Sequence, residues 1–114
     1  MRESEIVAYL KKRVTELGGI YRKVAWEGRS DAPDYLVMMN ENFVFVEVKS
    51  PTGKPRPSQL REFAAMEAYA GETVVVVRTP DEVDTLMCGF RYYEALEVAM
   101  ERLSYTRFVG KDNA

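Results

Sequence analysis

The residues from Asp34 to Lys49 constrain the fold more than any other stretch of the chain. Two short apolar runs flank the polar segment 40–42, Asn-Glu-Asn, and β-branched and aromatic residues dominate the second run. Runs of this kind are typical of strands, and asparagine favours tight turns because it tolerates left-handed backbone. The pattern predicts a β-hairpin in which a turn of two or three residues places Asp34 opposite Val48 or Lys49.

Charged residues gather at the end of this hairpin away from its turn. Side chains alternate along a strand, so Glu47 and Lys49 share one face, and Asp34 begins the neighbouring strand. Burying charges beside apolar strands is costly unless they pair or bind a metal ion. Two interpretations follow: the three groups form a chemical site, or they are an ordinary solvated strand end.

Helical and extended patterns alternate along the rest of the chain. Apolar residues recur at helical spacing over 2–17, before Gly18-Gly19 ends the helix, and a strand is predicted at 20–26. A helical pattern from Pro57 to about Ala70 connects the hairpin to the valine run at 73–78, which predicts a strand buried on both faces.

The order of these elements predicts the fold class. A helix between two strands is typical of a parallel pair, whereas the hairpin is antiparallel. The chain has 114 residues, enough for one domain with a modest core. We therefore predict an α/β fold with a mixed four-stranded sheet flanked by helices.

Composition excludes several classes of site. The chain has no histidine and one cysteine, Cys88, which argues against a zinc site and against Ser-His or Cys-His catalysis. A bound metal would then need oxygen ligands, which favours Mg²⁺ or Mn²⁺. The lone cysteine fits a reducing cytoplasm, and neither a membrane-spanning run nor a signal peptide is expected. The net charge of −2 gives no overall indication of a nucleic-acid partner.

Three pieces of sequence resemble one nuclease family. They are Gly28-Arg-Ser-Asp-Ala-Pro-Asp34, Phe45-Val-Glu-Val-Lys49, and Gln59 on the following helix. Pro-Asp followed by Glu-x-Lys is the pattern of the PD-(D/E)XK superfamily. The flanking residues make the chain similar to VRR-NUC domains, above all the small stand-alone forms of phages and bacteria. Asp31 stands where that family usually has glycine, and metal binding, turn capping and weaker DNA approach all remain open for it.

The resemblance implies a PD-(D/E)XK restriction-endonuclease-like core and a metal-dependent DNA endonuclease, selective for branched DNA such as a Holliday junction or a flap. Related nucleases place an acidic residue of the first helix beside the metal. Helical spacing favours Glu3 over Glu5 for that role, and a solvated helix end is the alternative. The implied ligands of Mg²⁺ or Mn²⁺ are Asp34, Glu47, the Val48 carbonyl and Glu3. The implied catalytic residues are Asp34, Glu47, Lys49, Gln59 and Glu3.

Basic residues near the hairpin end are expected to contact DNA. The stretch 50–61 contains no acidic residue, and its Lys54 and Arg56 predict phosphate contacts that are independent of sequence and sensitive to salt. Lys23, on the first predicted strand, matches a position that is often basic in the family. Arg29 lies in the loop before Asp34 and is suited to pair with a phosphate. An ordinary exposed surface residue is the alternative for each.

The resemblance covers residues 1–87, which include a short helix predicted over 80–87, and leaves 88–114 as a C-terminal helical extension and tail. Apolar residues at helical spacing predict another helix over 90–103. That helix either packs on its own domain or forms a homodimer surface. The resemblance implies the dimer, because stand-alone VRR-NUC domains act as homodimers on branched DNA, and a two-fold dimer would present two sites to two DNA strands. The apolar positions concerned are Phe90, Tyr93, Leu96, Met100 and Leu103.

Two further expectations concern the tail and the class of function. The tail 105–114 is expected to be flexible, with Arg107 and Lys111 near DNA. A catalytically inactive nucleic-acid-binding module of the same fold is the alternative function. Clustered acidic groups would oppose DNA binding unless a metal neutralised them, which favours the enzyme. The expected location is the cytoplasm of a bacterial cell, for a bacterial or a phage-encoded protein.

Overall fold

A four-stranded sheet with helices on both faces forms the protein in the computed structural model, which describes residues 1–92 and 95–110. The predicted α/β architecture is thereby confirmed. In chain order the elements are α1 (Glu3–Glu16), β1 (Ile20–Lys23), β2 (Tyr35–Met39), β3 (Asn42–Val48), α2 (Pro57–Ala70), β4 (Val74–Val77), α3 (Pro80–Arg91), α4 (Ala95–Arg102) and a C-terminal 3₁₀ helix (Tyr105–Phe108).

The sheet is mixed and follows the chain order β1-β2-β3-β4. The first three strands pair antiparallel, whereas β3 and β4 pair in parallel across the α2 connection, as predicted. All four residues of β4 are buried, which confirms the strand covered on both faces. The parallel pair brings the ends of β3 and β4 together at one edge of the sheet.

The hairpin turn has two residues, the shorter of the two predicted lengths. Only Asn40 and Glu41 form it, with φ of 51° and 64°, and Met39 pairs directly with Asn42. Positive φ at both central residues defines the type I′ turn that matches strand twist. Continuing this register places Asp34 across from Glu47, so the predicted pairing with Val48 or Lys49 is wrong.

The two faces of the sheet carry separate apolar clusters. Alternate side chains of β2, β3 and β4 pack with α1, α3 and α4 in the larger cluster. The other face carries Phe45, Val74 and Val76, which pack against Phe63 of α2 and Tyr105 of the C-terminal 3₁₀ helix. Because alternation fixes the face, Glu47 lies on the α2 side together with Phe45.

The segment after β4 forms two helices whose bounds differ from the prediction. Helix α3 continues to Arg91 instead of stopping at residue 87, and α4 begins at Ala95. Phe90, Leu96, Met100 and Leu103 are all buried in the larger cluster, so this apolar face packs on its own domain. The predicted dimer surface on these side chains is therefore wrong, and Tyr93 lies outside the described residues.

The chain beyond α4 folds back over the open edge of β4. The Val76 N–H donates to the Leu103 carbonyl, and Ser104 bridges Val75. The predicted flexible tail is thus wrong for residues 105–108, because Tyr105 is buried. Arg107 turns inward instead of reaching toward DNA, while Lys111 lies outside the described residues. Within the described ranges, no helix has the length and apolar character needed to cross a membrane.

Candidate functional site

The site is built where β2 begins and β3 ends. The hairpin register sets Asp34 across from Glu47, and cross-strand neighbours share a face. Asp34 is exposed at the sheet edge, whereas Glu47 is only 3% exposed beneath α2. Lys49 follows two positions later on the same face, so the three charged groups do gather at this edge.

Glu47 has one satisfied oxygen and one unsatisfied oxygen. Its Oε2 lies 3.2 Å from Lys49 Nζ and accepts a hydrogen bond from Gln59 Nε2 at 3.1 Å. Its Oε1 is buried and has no hydrogen-bond partner among the described residues. A buried acceptor left unsatisfied costs about 1–3 kcal/mol. This oxygen is therefore suited to an additional ligand.

Electrostatics support a cation as that ligand. Burial raises the pKa of the Glu47 carboxyl, Lys49 opposes this rise, and the nearby charge of Asp34 adds to it. Two carboxylates that repel each other, one with an unsatisfied oxygen, form a donor set that hard divalent cations prefer. The residues present thus fit Mg²⁺ or Mn²⁺.

Gln59 is oriented by the start of α2. The Arg56 backbone N–H donates to Gln59 Oε1 at 3.0 Å, while Nε2 of the same amide donates to Glu47. These two bonds assign the amide oxygen and nitrogen to opposite sides. Gln59 is buried, and helix α2 begins at Pro57, whose fixed φ suits a first helical position. Gln59 thereby contacts Glu47, and its catalytic role stays a prediction.

Asp31 fastens the loop before Asp34 to the same helix start. Its Oδ1 accepts hydrogen bonds from the Ser58 hydroxyl at 2.9 Å and from Arg56 Nη2 at 3.2 Å. The Ser58 bond and then the Arg56 bond lower the pKa of Asp31. Asp31 thus ties the loop to side chains at the start of α2 without bonding its backbone N–H groups, and the alternatives named for this carboxylate stay predictions.

Asp31→Asn is expected to lower the melting temperature at pH 7, because the amide replaces a charged acceptor of two hydrogen bonds. A carboxyl whose pKa is lowered by folding stabilises the protein above the pKa of the unfolded chain, about 3.9. That stabilisation is lost as the pH falls through the lowered pKa. Melting curves between pH 7 and pH 3 should therefore show the two proteins converging at low pH. Glu27→Gln, in the same loop, is the control; a difference that is constant with pH would contradict this role of Asp31.

Trp26 is a site residue that the sequence did not reveal. Its Nε1 donates to the Pro33 carbonyl at 2.8 Å, and its ring lies 5.3 Å from that of Phe45, centroid to centroid. It therefore fixes the residue just before Asp34 against β3. The seven-residue separation of Trp26 and Pro33 lies in an irregular loop and gives no periodic signal, although Trp26 is the only tryptophan of the chain.

The predicted DNA contacts lie in different places. Arg29 and Arg56 are exposed and form surface ion pairs, with Glu62 at 3.4 Å and with Asp31 respectively. Lys54 is also exposed, in the loop after Lys49. Lys23 is paired with Tyr35, so alternation sends its side chain to the α1 face, away from Glu47. Lys54 and Arg56 flank the site, and Lys23 does not share its face.

The other two predicted metal ligands, Glu3 and the Val48 carbonyl, make no contact in the described parts of the chain that supports metal binding. Glu3 is exposed in the first turn of α1, and Glu5 accepts the Arg2 backbone N–H. Within residues 1–92 and 95–110, no three acidic, histidine or cysteine side chains come close enough to hold a metal together. Val48 turns its side chain into the larger apolar cluster and follows Glu47 directly. The roles given to Glu3 and to the Val48 carbonyl thus stay predictions.

Comparison with known proteins identifies the kind of domain. No family model matches the chain. A protein named "Putative nuclease p44", from Acyrthosiphon pisum secondary endosymbiont phage 1, is 42% identical over 82 residues, which cover 71% of this chain and 87% of that protein. A solved structure named "VRR_NUC domain" is 41% identical in sequence to this chain, and the two structures superpose with a TM-score of 0.67. The match covers 75% of this chain and 92% of the solved chain. The chain therefore belongs to the VRR-NUC family of nucleases and has its restriction-endonuclease-like fold.

Proposed function

We propose that this nuclease is a divalent-metal-dependent DNA endonuclease whose preferred substrate is branched, such as a Holliday junction or a flap. The observation that carries the proposal is the buried Glu47 carboxylate, with one unsatisfied oxygen, across from Asp34 and in contact with Lys49. Family membership supports the nuclease, and the resemblance drawn from the sequence supports the branched substrate.

Asp34 and Glu47 would hold Mg²⁺ or Mn²⁺, with the Val48 carbonyl as a further ligand and Glu3 acting through water or at a second position. When bound, the cation supplies charge neutralisation and activates water for attack on a phosphodiester. Neighbouring side chains fix the orientation of the Glu47 carboxylate that would bind the cation. Gln59 and Lys49 both hold Oε2, so the buried Oε1 is left without a hydrogen-bond partner among the described residues.

Lys49 would orient the attacking water and stabilise the charge that develops on the phosphate. Its ammonium is held against Glu47 at 3.2 Å, and its side chain is 14% exposed. A positioned cation in a partly desolvated site stabilises a charged transition state more than it would in water. Gln59 would then act indirectly, because its hydrogen bond fixes Glu47 and Glu47 in turn holds the Lys49 ammonium in place.

Arg29, Lys54, Arg56 and Lys23 would position the DNA backbone. The ion pairs of Arg29 and Arg56 are at the surface, where such pairs contribute about 0–1 kcal/mol. Phosphate groups can replace those partners at little cost. Lys23 would serve only a strand that passes over the α1 side of the sheet edge.

A homodimer is part of the proposal, with a surface other than the C-terminal helices. Ile20, Met38 and Phe43 form one row across β1, β2 and β3, because Met38 pairs with both neighbours. Ile20 and Phe43 are about half exposed, at 46% and 52%. Light scattering should give a dimer mass for the wild type and a monomer mass for Phe43→Ser, with Tyr69→Ser unchanged; a monomeric wild type at micromolar concentration would overturn the dimer.

The proposed function is tested by cleavage of a labelled set of DNAs: linear duplex, single strand, flap, splayed arm and four-way junction. Cutting in Mg²⁺ or Mn²⁺ that stops with EDTA is expected, fastest on the branched members. Equal rates on all five would remove the structural preference but leave the nuclease. Tight binding without cutting in either metal would instead favour the inactive binding module. A reducing cytoplasm, inferred from the lone Cys88, remains the expected location.

A further inference from the structure

We infer that Arg78 is a positioning residue of the nuclease site and that the C-terminal 3₁₀ helix holds it in place through Phe108. This inference rests on the proposed function and adds a residue and a segment to it. It concerns the turn 50–53, which directly follows Lys49 and leads to the basic residues Lys54 and Arg56.

Arg78 stands beside the strand end that carries Lys49. The Lys49 backbone N–H donates to the carbonyl of Val77, the residue before Arg78, at 3.0 Å. Arg78 Nη1 donates to the Gly53 carbonyl at 3.1 Å, and the Gly53 N–H closes the turn on the Ser50 carbonyl at 2.9 Å. The turn is thus tied to the end of β4 both by main chain and by the Arg78 guanidinium.

The C-terminal 3₁₀ helix covers this guanidinium. The Cζ atoms of Arg78 and Arg107 each lie 4.9 Å from the centroid of the Phe108 ring. Cations at such distances are attracted to the face of an aromatic ring. Phe108 therefore restricts where the Arg78 side chain can lie, and through it where the Gly53 carbonyl can lie.

Glu82 and Arg107 complete the support. Glu82 Oε1 accepts the Arg78 backbone N–H at 2.8 Å and Arg107 Nη2 at 3.1 Å. Arg107 Nη2 also donates to the Val76 carbonyl at 2.8 Å. One carboxylate thus anchors both arginines, so the C-terminal segment, β4 and the turn after Lys49 form one connected network.

The two arginines of this network are partly withdrawn from water. The Nε atoms of Arg78 and Arg107 are buried, with no hydrogen-bond partner among the described residues. Burial lowers the pKa of Arg107, although Glu82 opposes this. Two partly desolvated cations carry a cost that an apolar contact would avoid. The two arginines lie next to Lys49 and the basic loop that follows it. We therefore infer that they hold this loop in a defined conformation.

The test compares Arg78→Gln, Phe108→Ala and their combination, with Arg91→Gln as an exposed control. Both single variants should lower kcat on a cleavable DNA by about 10- to 100-fold with little change in KM, since small misplacements near the chemistry have effects of that size. The double variant should lose no more than the stronger single variant, because both act through one contact. Arg78→Lys, which keeps a charged donor, should recover part of the rate.

Other outcomes would overturn the inference. A raised KM with a salt dependence of binding reduced by about one charge would make Arg78 a DNA contact. Lower melting temperatures with unchanged kcat would make the network structural. A readout independent of cleavage is hydrogen exchange of the amides of Thr52, Gly53 and Lys54, which should speed up in both single variants. Unchanged exchange overturns the inference even where the wild type cuts no DNA, an outcome that would separately refute the proposed function.

Discussion

Lys49→Ala is expected to lower the rate of DNA cleavage by about 10²- to 10⁴-fold, the range for a group that positions or transfers a proton in the transition state. The physical reason is the loss of the ammonium that Glu47 holds at the sheet edge. The fold should persist, because Lys49 lies outside both apolar clusters. Single-turnover cleavage with saturating enzyme measures the effect without a contribution from product release.

Lys12→Ala is a matched control for this variant. Lys12 is an exposed lysine of α1 whose ammonium lies 3.9 Å from Glu16, and its removal should leave both rate and stability within experimental error. The unfolding curve of Lys12→Ala should coincide with that of the wild type to within about 1 kcal/mol. Lys49→Ala should fold but be less stable, because the buried Glu47 carboxylate loses its paired cation. A Lys49→Ala protein that cuts DNA at the wild-type rate would show that the chemistry lies elsewhere.

Glu47→Gln is expected to have the second large effect, on cleavage and on metal-dependent stability together. Glutamine keeps the shape, and its carbonyl oxygen can still accept from Lys49 and Gln59, but the charge is gone. Loss of a direct ligand should lower activity by more than the 10- to 100-fold typical of groups that only support ligands. For the wild type, Mn²⁺ at 100 times its Kd should add about 2.7 kcal/mol to the free energy of unfolding.

Thermal unfolding in EDTA and in Mn²⁺ separates this effect from simple destabilisation. The wild type should melt at a higher temperature with Mn²⁺, Glu47→Gln should show little change, and Asp34→Asn should behave like Glu47→Gln. Glu62→Gln is the control, since its carboxylate pairs with Arg29 at the surface. Equal stabilisation of wild type and Glu47→Gln by Mn²⁺ would place the metal somewhere other than this pair of carboxylates.

The sequence predicted the sheet and the gathering of Asp34, Glu47 and Lys49 because both depend on short-range pattern. Alternation fixes which side chains share a strand face, and a polar turn between two apolar runs fixes the hairpin. The register was missed because Glu41 occupies a left-handed position that glycine or asparagine normally takes. The polar segment therefore did not show that only two of its residues form the turn.

The connections of the site were harder to predict because they join distant parts of the chain. Asp31 meets Ser58 across 27 positions, and Arg78 meets Gly53 across 25. No local periodicity encodes such contacts. The apolar positions from Phe90 to Leu103 did indicate helices with a buried side. Their spacing alone could not show whether that side packs against the chain's own core or against a second chain.

Cleavage of one labelled branched DNA by the wild type and Lys49→Ala, each in Mn²⁺ and in EDTA, decides whether Lys49 and a divalent metal ion carry the reaction. We expect cutting only by the wild type with Mn²⁺, while both proteins bind the DNA. Cutting that persists in EDTA would contradict the metal role of Asp34 and Glu47. Cutting by Lys49→Ala at the wild-type rate would contradict the assignment of this site as the centre of the nuclease.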